Sequence, residues 1–160
     1  MEGLLKRVYS SRKIGVSLKI ISHATVLLCA VAFLFMLVHF YLCEPWLAVK
    51  FAFAAALPYV LVSFLRRIIN APRPYELYDF YEVAPKAKKG RSFPSRHVFS
   101  AFVIAVFAYA ISPWLSAALL ILGTMLSAVR VLLGIHFIRD VAAGALIGII
   151  SAILGLVILF

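Results

Sequence analysis

Three separated stretches of this 160-residue chain combine arginine with histidine, serine or aspartate: Arg66 through Arg73 and Pro74, then Pro94, Ser95, Arg96 and His97, then Arg130, His136 and Asp140. Arginine stays charged and matches phosphate oxygens with two parallel N–H groups, so several guanidinium groups without acidic partners point to a phosphoryl anion. Ser95 and Arg96 at a helix start would add backbone N–H donors and the positive end of the helix dipole. Asp140 lies four residues beyond His136, one turn away if both sit on a helix. A carboxylate there fixes the imidazole tautomer and leaves the other ring nitrogen free for a nucleophilic or general-base role. Spreading negative charge on a transferring phosphoryl group would be stabilised by such a cationic set. Taken singly, an arginine at a span end is most often a topology anchor. His23 and His39, far from any acid in sequence, read as packing residues.

The elements that must carry these residues follow from composition. The chain is 65% hydrophobic and 14% charged, a balance that a water-soluble domain of this size could not hide. Disordered, collagen-like and disulfide-scaffold classes are excluded by the same balance and by the cysteine count. Cys29 and Cys43 would stand roughly 21 Å apart on one helix and stay unpaired. The net charge of +10 is zoned beside apolar runs, not spread over a polar surface, which argues against nucleic-acid binding.

A spanning helix needs roughly 20 apolar residues. The pattern predicts spans over 20–43 and 45–65, a basic loop over 66–96 that holds a short helix, and a final span over 141–160. The uncharged run 98–129 is too long for one helix and is divided at Ser112, Pro113 and Trp114, because proline forbids an uninterrupted helix before it. Two spans fit there only if Ser95, Arg96 and His97 begin one helix and residues 130–134 end the next. Gly144, Gly148 and Ala152 recur every four residues and form a packing face. The expected fold is an all-α integral membrane protein, a bundle of five transmembrane helices forming one domain over 1–160. The basic segment 1–19 could lie along the interface as a helix. Fifteen of the sixteen basic residues fall on one side, with Trp46 and Trp114 as anchors on the other.

The three stretches resemble the motifs of the type 2 phosphatidic acid phosphatases, membrane lipid phosphatases related to vanadium haloperoxidases. The first motif is lysine, six residues, arginine and proline; Arg73 and Pro74 match it, and Arg66 stands at the lysine position. The second, proline, serine, glycine and histidine, is similar to Pro94, Ser95, Arg96 and His97, with arginine replacing glycine. The third, serine, arginine, five residues, histidine, three residues and aspartate, is matched by Arg130, His136 and Asp140, with Val129 replacing serine. The resemblance implies that His136 attacks phosphorus, Asp140 orients it and His97 protonates the leaving oxygen. Arg66, Arg73, Ser95 and Arg130 would bind phosphoryl oxygens, and Arg96 would add a further contact. The scheme requires no metal or other cofactor.

A site at headgroup level favours a lipid phosphate monoester or diphosphate, such as phosphatidate, phosphatidylglycerol phosphate or a polyprenyl diphosphate. Tyr75, Tyr78, Phe80 and Tyr81 could line an entry for lipid chains, and Lys86, Lys88, Lys89 and Arg91 could attract headgroups. The alternatives are a vanadate-dependent halide oxidase and a non-catalytic phosphate- or lipid-binding protein or anion transporter. The expected partners are the bilayer and its lipid phosphates, in a bacterial-size minimal enzyme of a cell membrane. Basic residues favour a cytosolic site by the positive-inside rule, whereas the resemblance implies an outward one. Cysteine labelling at Ser92 and Ser112 would separate the two.

Overall fold

A computed structural model describes residues 12–78 and 89–159. The elements are α1 (Arg12–Cys43), α2 (Pro45–Ile69), α3 (Pro74–Leu77), α4 (Arg96–Phe107), α5 (Pro113–Leu132) and α6 (Ile138–Leu159), with a 3₁₀ turn at Ala108–Ala110 extending α4. No strand occurs among the described residues. Proline opens α2 and α5 at a position where the missing N–H costs nothing. The Ser112 hydroxyl caps α5 by accepting from Leu115 N at 3.4 Å. Asn70 closes α2 in the left-handed region, with φ of 43°.

Four of these helices, α1, α2, α5 and α6, are long and apolar enough to cross a bilayer. Large side chains such as Leu27, Phe53, Leu61, Ile121 and Val157 face outward, as a lipid-bathed bundle requires. The expected fifth span is shorter than the sequence pattern implied. Helix α4 and its 3₁₀ turn reach about 24 Å against a hydrocarbon core of roughly 30 Å. The helix cannot start earlier, because Ser95 is extended at its N-cap and its N–H is bonded to Asp140 O at 2.8 Å. Instead α4 is the central element, packed by α6 and α5 and flanked by α1 and α2. Val98, Phe99, Ala101, Val103, Ala105 and Phe107 are buried around its circumference.

Small residues on α6 make this central position attainable. A Cβ on Gly144 would lie 2.6 Å from Ser95 O, and one on Gly148 would lie 2.6 Å from Phe99 O. Ala152, one turn further, is fully buried. The expected packing face is therefore real, and its partner is the first two turns of α4. At the other end Phe51 packs tilted against Phe40 and edge-on against Phe107, with ring centroids 5.0 and 5.2 Å apart.

Other expectations are refined. Residues 12–19 continue into α1 as one helix and do not form a separate interfacial helix; residues 1–11 lie outside the described residues. The basic loop does hold a short helix, α3, but α2 runs on to Ile69 before it. Phe80, Tyr81, Lys86 and Lys88 lie outside the described residues. Cys29 is buried and Cys43 exposed, both unpaired. His23 is exposed, not packed, while His39 stacks on Phe35 with centroids 6.3 Å apart.

Candidate active site

The connection between α5 and α6 places His136. Gly134 takes a φ of 63°, which turns the chain sharply after α5. The N–H groups of Ile135 and His136 then return to Arg130 O at 3.2 and 3.3 Å. This fold-back holds His136 above the last turn of α5, beside Arg130. Tyr75 N bonds Gly134 O at 3.2 Å and ties α3 to the same turn.

Asp140 lies in the first turn of α6, but His136 is in the preceding connection, so the two do not share a helix face as the spacing suggested. The pairing is reached another way. Asp140 Oδ2 accepts from Phe137 N at 3.0 Å, satisfying the N-cap amide of α6. His136 Nδ1 then stands 3.6 Å from the same oxygen. The Ser92 hydroxyl fills the gap, donating to Asp140 Oδ2 and lying 3.3 Å from His136 Nδ1. Ser92 is fully buried. Sequence reasoning missed this role and treated the position as a labelling site; a serine two residues before Pro94 carried no charge or spacing that would single it out.

His136 is 2% exposed, and burial pushes its imidazole down from the usual 6.5 to about 4. The positive charges of Arg73 and Arg66 act in the same direction, while the Asp140 carboxylate opposes them. The ring is neutral at neutral pH, with Nδ1 turned toward Ser92 and Asp140. That arrangement leaves Nε2 as the nitrogen for a substrate.

Three buried polar atoms of these site residues have no hydrogen-bond partner among the described residues: Ser95 Oγ, Arg130 Nε and Asp140 Oδ1, the last 3.7 Å from Arg139 Nε. Ser95 does not cap α4 with its side chain, so the first amides of that helix also point outward unbonded to it. His97, in the first turn of α4, keeps an exposed edge, and desolvation of its ring together with the charges of Arg130, His136, Arg96 and Arg66 pushes its imidazole well below the usual 6.5 in the substrate-free protein. Ser95, His97, Arg130, His136 and Asp140 are thus brought together, with donors left open where an anion would sit.

Arg66 makes backbone contacts that the spacing of the motifs did not reveal. Its Nη1 donates to Ser92 O at 3.3 Å and to Pro94 O, and its Nη2 donates to Arg91 O. The side chain clamps the 91–94 segment with three of its five N–H groups and also lines the cavity described below. Arg73 donates from Nε to Gly90 O at 3.0 Å and lies over the Tyr75 ring, 5.8 Å from its centroid. Glu76 Oε1 accepts from Gly90 N at 2.7 Å and Arg73 N at 3.0 Å, closing the loop ends together.

At the ends of α2 and the loop opens a cavity of about 490 Å³ lined by Arg66, Arg67, Arg73, Lys89, Arg91 and Arg96 together with Ser63, Asn70 and Gly90. Arg96 also borders a smaller cavity of about 180 Å³ with His97, Tyr59 and Ser100. Tyr59 and Ser100 in turn line an apolar groove of about 450 Å³ between α1, α2 and α4. A polar anion site and an apolar groove therefore meet at the Tyr59–Arg96 contact.

A family model described as the PAP2 superfamily matches residues 47–160. Among solved structures, LpxE of Aquifex aeolicus is similar over 96% of this chain and 93% of its own, at 27% identity and a TM-score of 0.73. A transmembrane PAP2 type phosphatidylglycerolphosphate phosphatase from Bacillus subtilis shares the fold over 95% of this chain and 89% of its own, at 20% identity and a TM-score of 0.60. No curated protein matches the chain at a significant level. With its model spanning all three motif stretches and most of the helices that hold them, the chain belongs to the PAP2 superfamily and is an integral membrane phosphoric ester hydrolase.

Proposed function

We propose that the chain is a single-domain lipid phosphatase, five helices deep in the bilayer, acting through a phosphohistidine. The observation that carries the reading is the buried, neutral His136, backed by Asp140 and Ser92, in a site where Ser95 Oγ and Arg130 Nε are left unpartnered. In this scheme Nε2 of His136 attacks phosphorus, an N–P bond forms, and the P–O bond to the leaving group breaks. His97 hands its proton to the leaving oxygen, which departs poorly as an alkoxide without one. Water then attacks the phosphohistidine while His97 takes back a proton, releasing phosphate.

Arg130 and Arg73, Ser95 Oγ and the amides at the start of α4 hold the phosphoryl oxygens, and Arg66 positions the loop that presents Ser95. Asp140 holds the His136 tautomer through Nδ1. The groove between α1, α2 and α4 receives a lipid chain laterally, which favours a membrane-anchored phosphate over a free sugar phosphate.

The test is phosphate release from a panel of lipid phosphates by purified protein in chelator, comparing native protein with His136→Ala and His97→Ala. His136→Ala abolishes release, and His97→Ala reduces it at least about a hundredfold, in keeping with general-acid contributions. Equal turnover by all three proteins rejects the scheme.

A further inference from the structure

We propose that Glu76 is a positioning residue: by holding the backbone amides of Arg73 and Gly90 on one carboxylate, it aims the Arg73 guanidinium at the phosphoryl group. The inference rests on the phosphatase reading and adds to it a residue that does not itself touch substrate.

Glu76 lies outside the three motif stretches, three residues past Arg73. Arginine and glutamate at that spacing on a helix commonly pair through their side chains. Here the carboxylate is used otherwise: no ion pair involves Glu76 among the described residues. Its Oε1 accepts from Arg73 N at 3.0 Å and from Gly90 N at 2.7 Å. The first bond is the return half of a capping box and serves α3 alone. The second is the shorter of the two, reaches across fourteen residues of chain and adds nothing to that cap.

Gly90 shows what the second bond is for. Arg73 Nε donates to Gly90 O at 3.0 Å, so Glu76 holds the glycine's amide while Arg73 takes its carbonyl. The three residues close a ring in which the Arg73 backbone and side chain are both fixed. Nε is pinned to backbone, and the two Nη nitrogens have no partner among the described residues. The charge of Arg73 acts on the His136 ring, so the guanidinium belongs to the site. Gly90 is also held from a third side. Its φ is 65°, and a Cβ there would lie 2.5 Å from Asn70 Oδ1, against the C-cap of α2. The segment that follows carries Ser92 and Ser95, with Ser92 N bonded to Ala71 O at 2.9 Å.

A carboxylate beside an anion site also repels the anion. Acting through its field alone, Glu76 would weaken phosphate binding, and its removal would tighten it. Acting through Arg73, its removal frees the guanidinium and weakens binding. The two roles have opposite signs.

The test measures inhibition by inorganic phosphate, with kcat and KM on one lipid phosphate, for the full-length protein in detergent. Glu76→Ala raises the phosphate Ki at least about fivefold and lowers kcat/KM at least about tenfold, as expected for a group that orients a site residue. Glu76→Gln keeps an oxygen acceptor for both amides and stays within about threefold of native in both quantities. Glu76→Asp keeps the charge, is one methylene too short to hold both amides, and follows the alanine variant. A contact with no link to Arg73 would lower only the folded fraction, read as a loss of kcat at constant KM and Ki. An unchanged or lower Ki in Glu76→Ala overturns the proposal, as does an aspartate variant that matches native while the glutamine variant fails. If Glu76→Ala does not fold, the order of the glutamine and aspartate variants decides. If native protein releases no phosphate from any lipid phosphate, the phosphatase reading fails, and calorimetry with inorganic phosphate applies the same comparison to Glu76. Absence of phosphate binding by native protein then overturns both.

Discussion

At His136 the deciding quantity is the protonation of one ring. Burial with Arg73 and Arg66 holds it near 4, so the attacking neutral form persists at mildly acidic pH in the substrate-free protein. NMR of isotope-labelled histidines should show His136 neutral down to about pH 5; titration at 6 or above contradicts its enclosure by Arg73, Arg66 and the buried site. Linkage fixes the sign for stability. The unfolded ring takes up a proton near 6.5 and the native one only near 4, so this residue's contribution is complete above 6.5 and declines as pH falls toward 4. Ser92 acts through Asp140, not on substrate. Removing its hydroxyl in Ser92→Ala leaves Asp140 Oδ2 short of a donor and His136 Nδ1 without its bridge. Losses for such supporting groups run about 10–100-fold, so kcat should fall by that factor with KM little changed. An unchanged kcat would remove Ser92 from the machinery.

At the scale of elements the decisive contact is α4 against α6. Ser95 reaches Asp140 only because Gly144 has no side chain where Ser95 O passes, and the Ser95 N to Asp140 O bond records that closeness. Gly144→Ala puts a methyl 2.6 Å from that oxygen, and backbone cannot yield as a flexible side chain would. Overpacking of this kind costs about 1–3 kcal/mol. Thermal unfolding in detergent should register the loss, and phosphate release should fall further than stability alone requires, because Ser95 moves off the site. Full activity in a destabilised Gly144→Ala protein would separate packing from positioning.

Across the whole molecule, chemistry gathers at one end and aromatic anchors mark the other. Lys89 is exposed at the cup, and Trp114 is exposed beyond the far end of α4. Lys89→Cys and Trp114→Cys, in a protein lacking Cys29 and Cys43, should react with an impermeant maleimide from opposite faces of sealed vesicles. Labelling of both from one face would break the arrangement. The same pair resolves the conflict between the basic residues, which favour a cytosolic site, and the family resemblance, which favours an outward one. Ser92 cannot serve for this purpose, being sealed against Asp140.

The apolar runs, the proline punctuation at 45 and 113 and the Gly144–Gly148–Ala152 repeat are legible in the sequence, because burial in lipid and close helix approach each impose a local residue pattern. Arg130, His136, Asp140, Ser95 and His97 were legible for a similar reason: charge and imidazole are costly at membrane depth and stand out against their surroundings. Tertiary structure alone decided the length of α4, the bridging hydroxyl of Ser92 and the turning of Arg66 onto backbone carbonyls. Each depends on where a backbone amide or carbonyl from a distant segment comes to rest. Every residue contributes the same amide and carbonyl groups, so residue identity carries no record of which ones will meet.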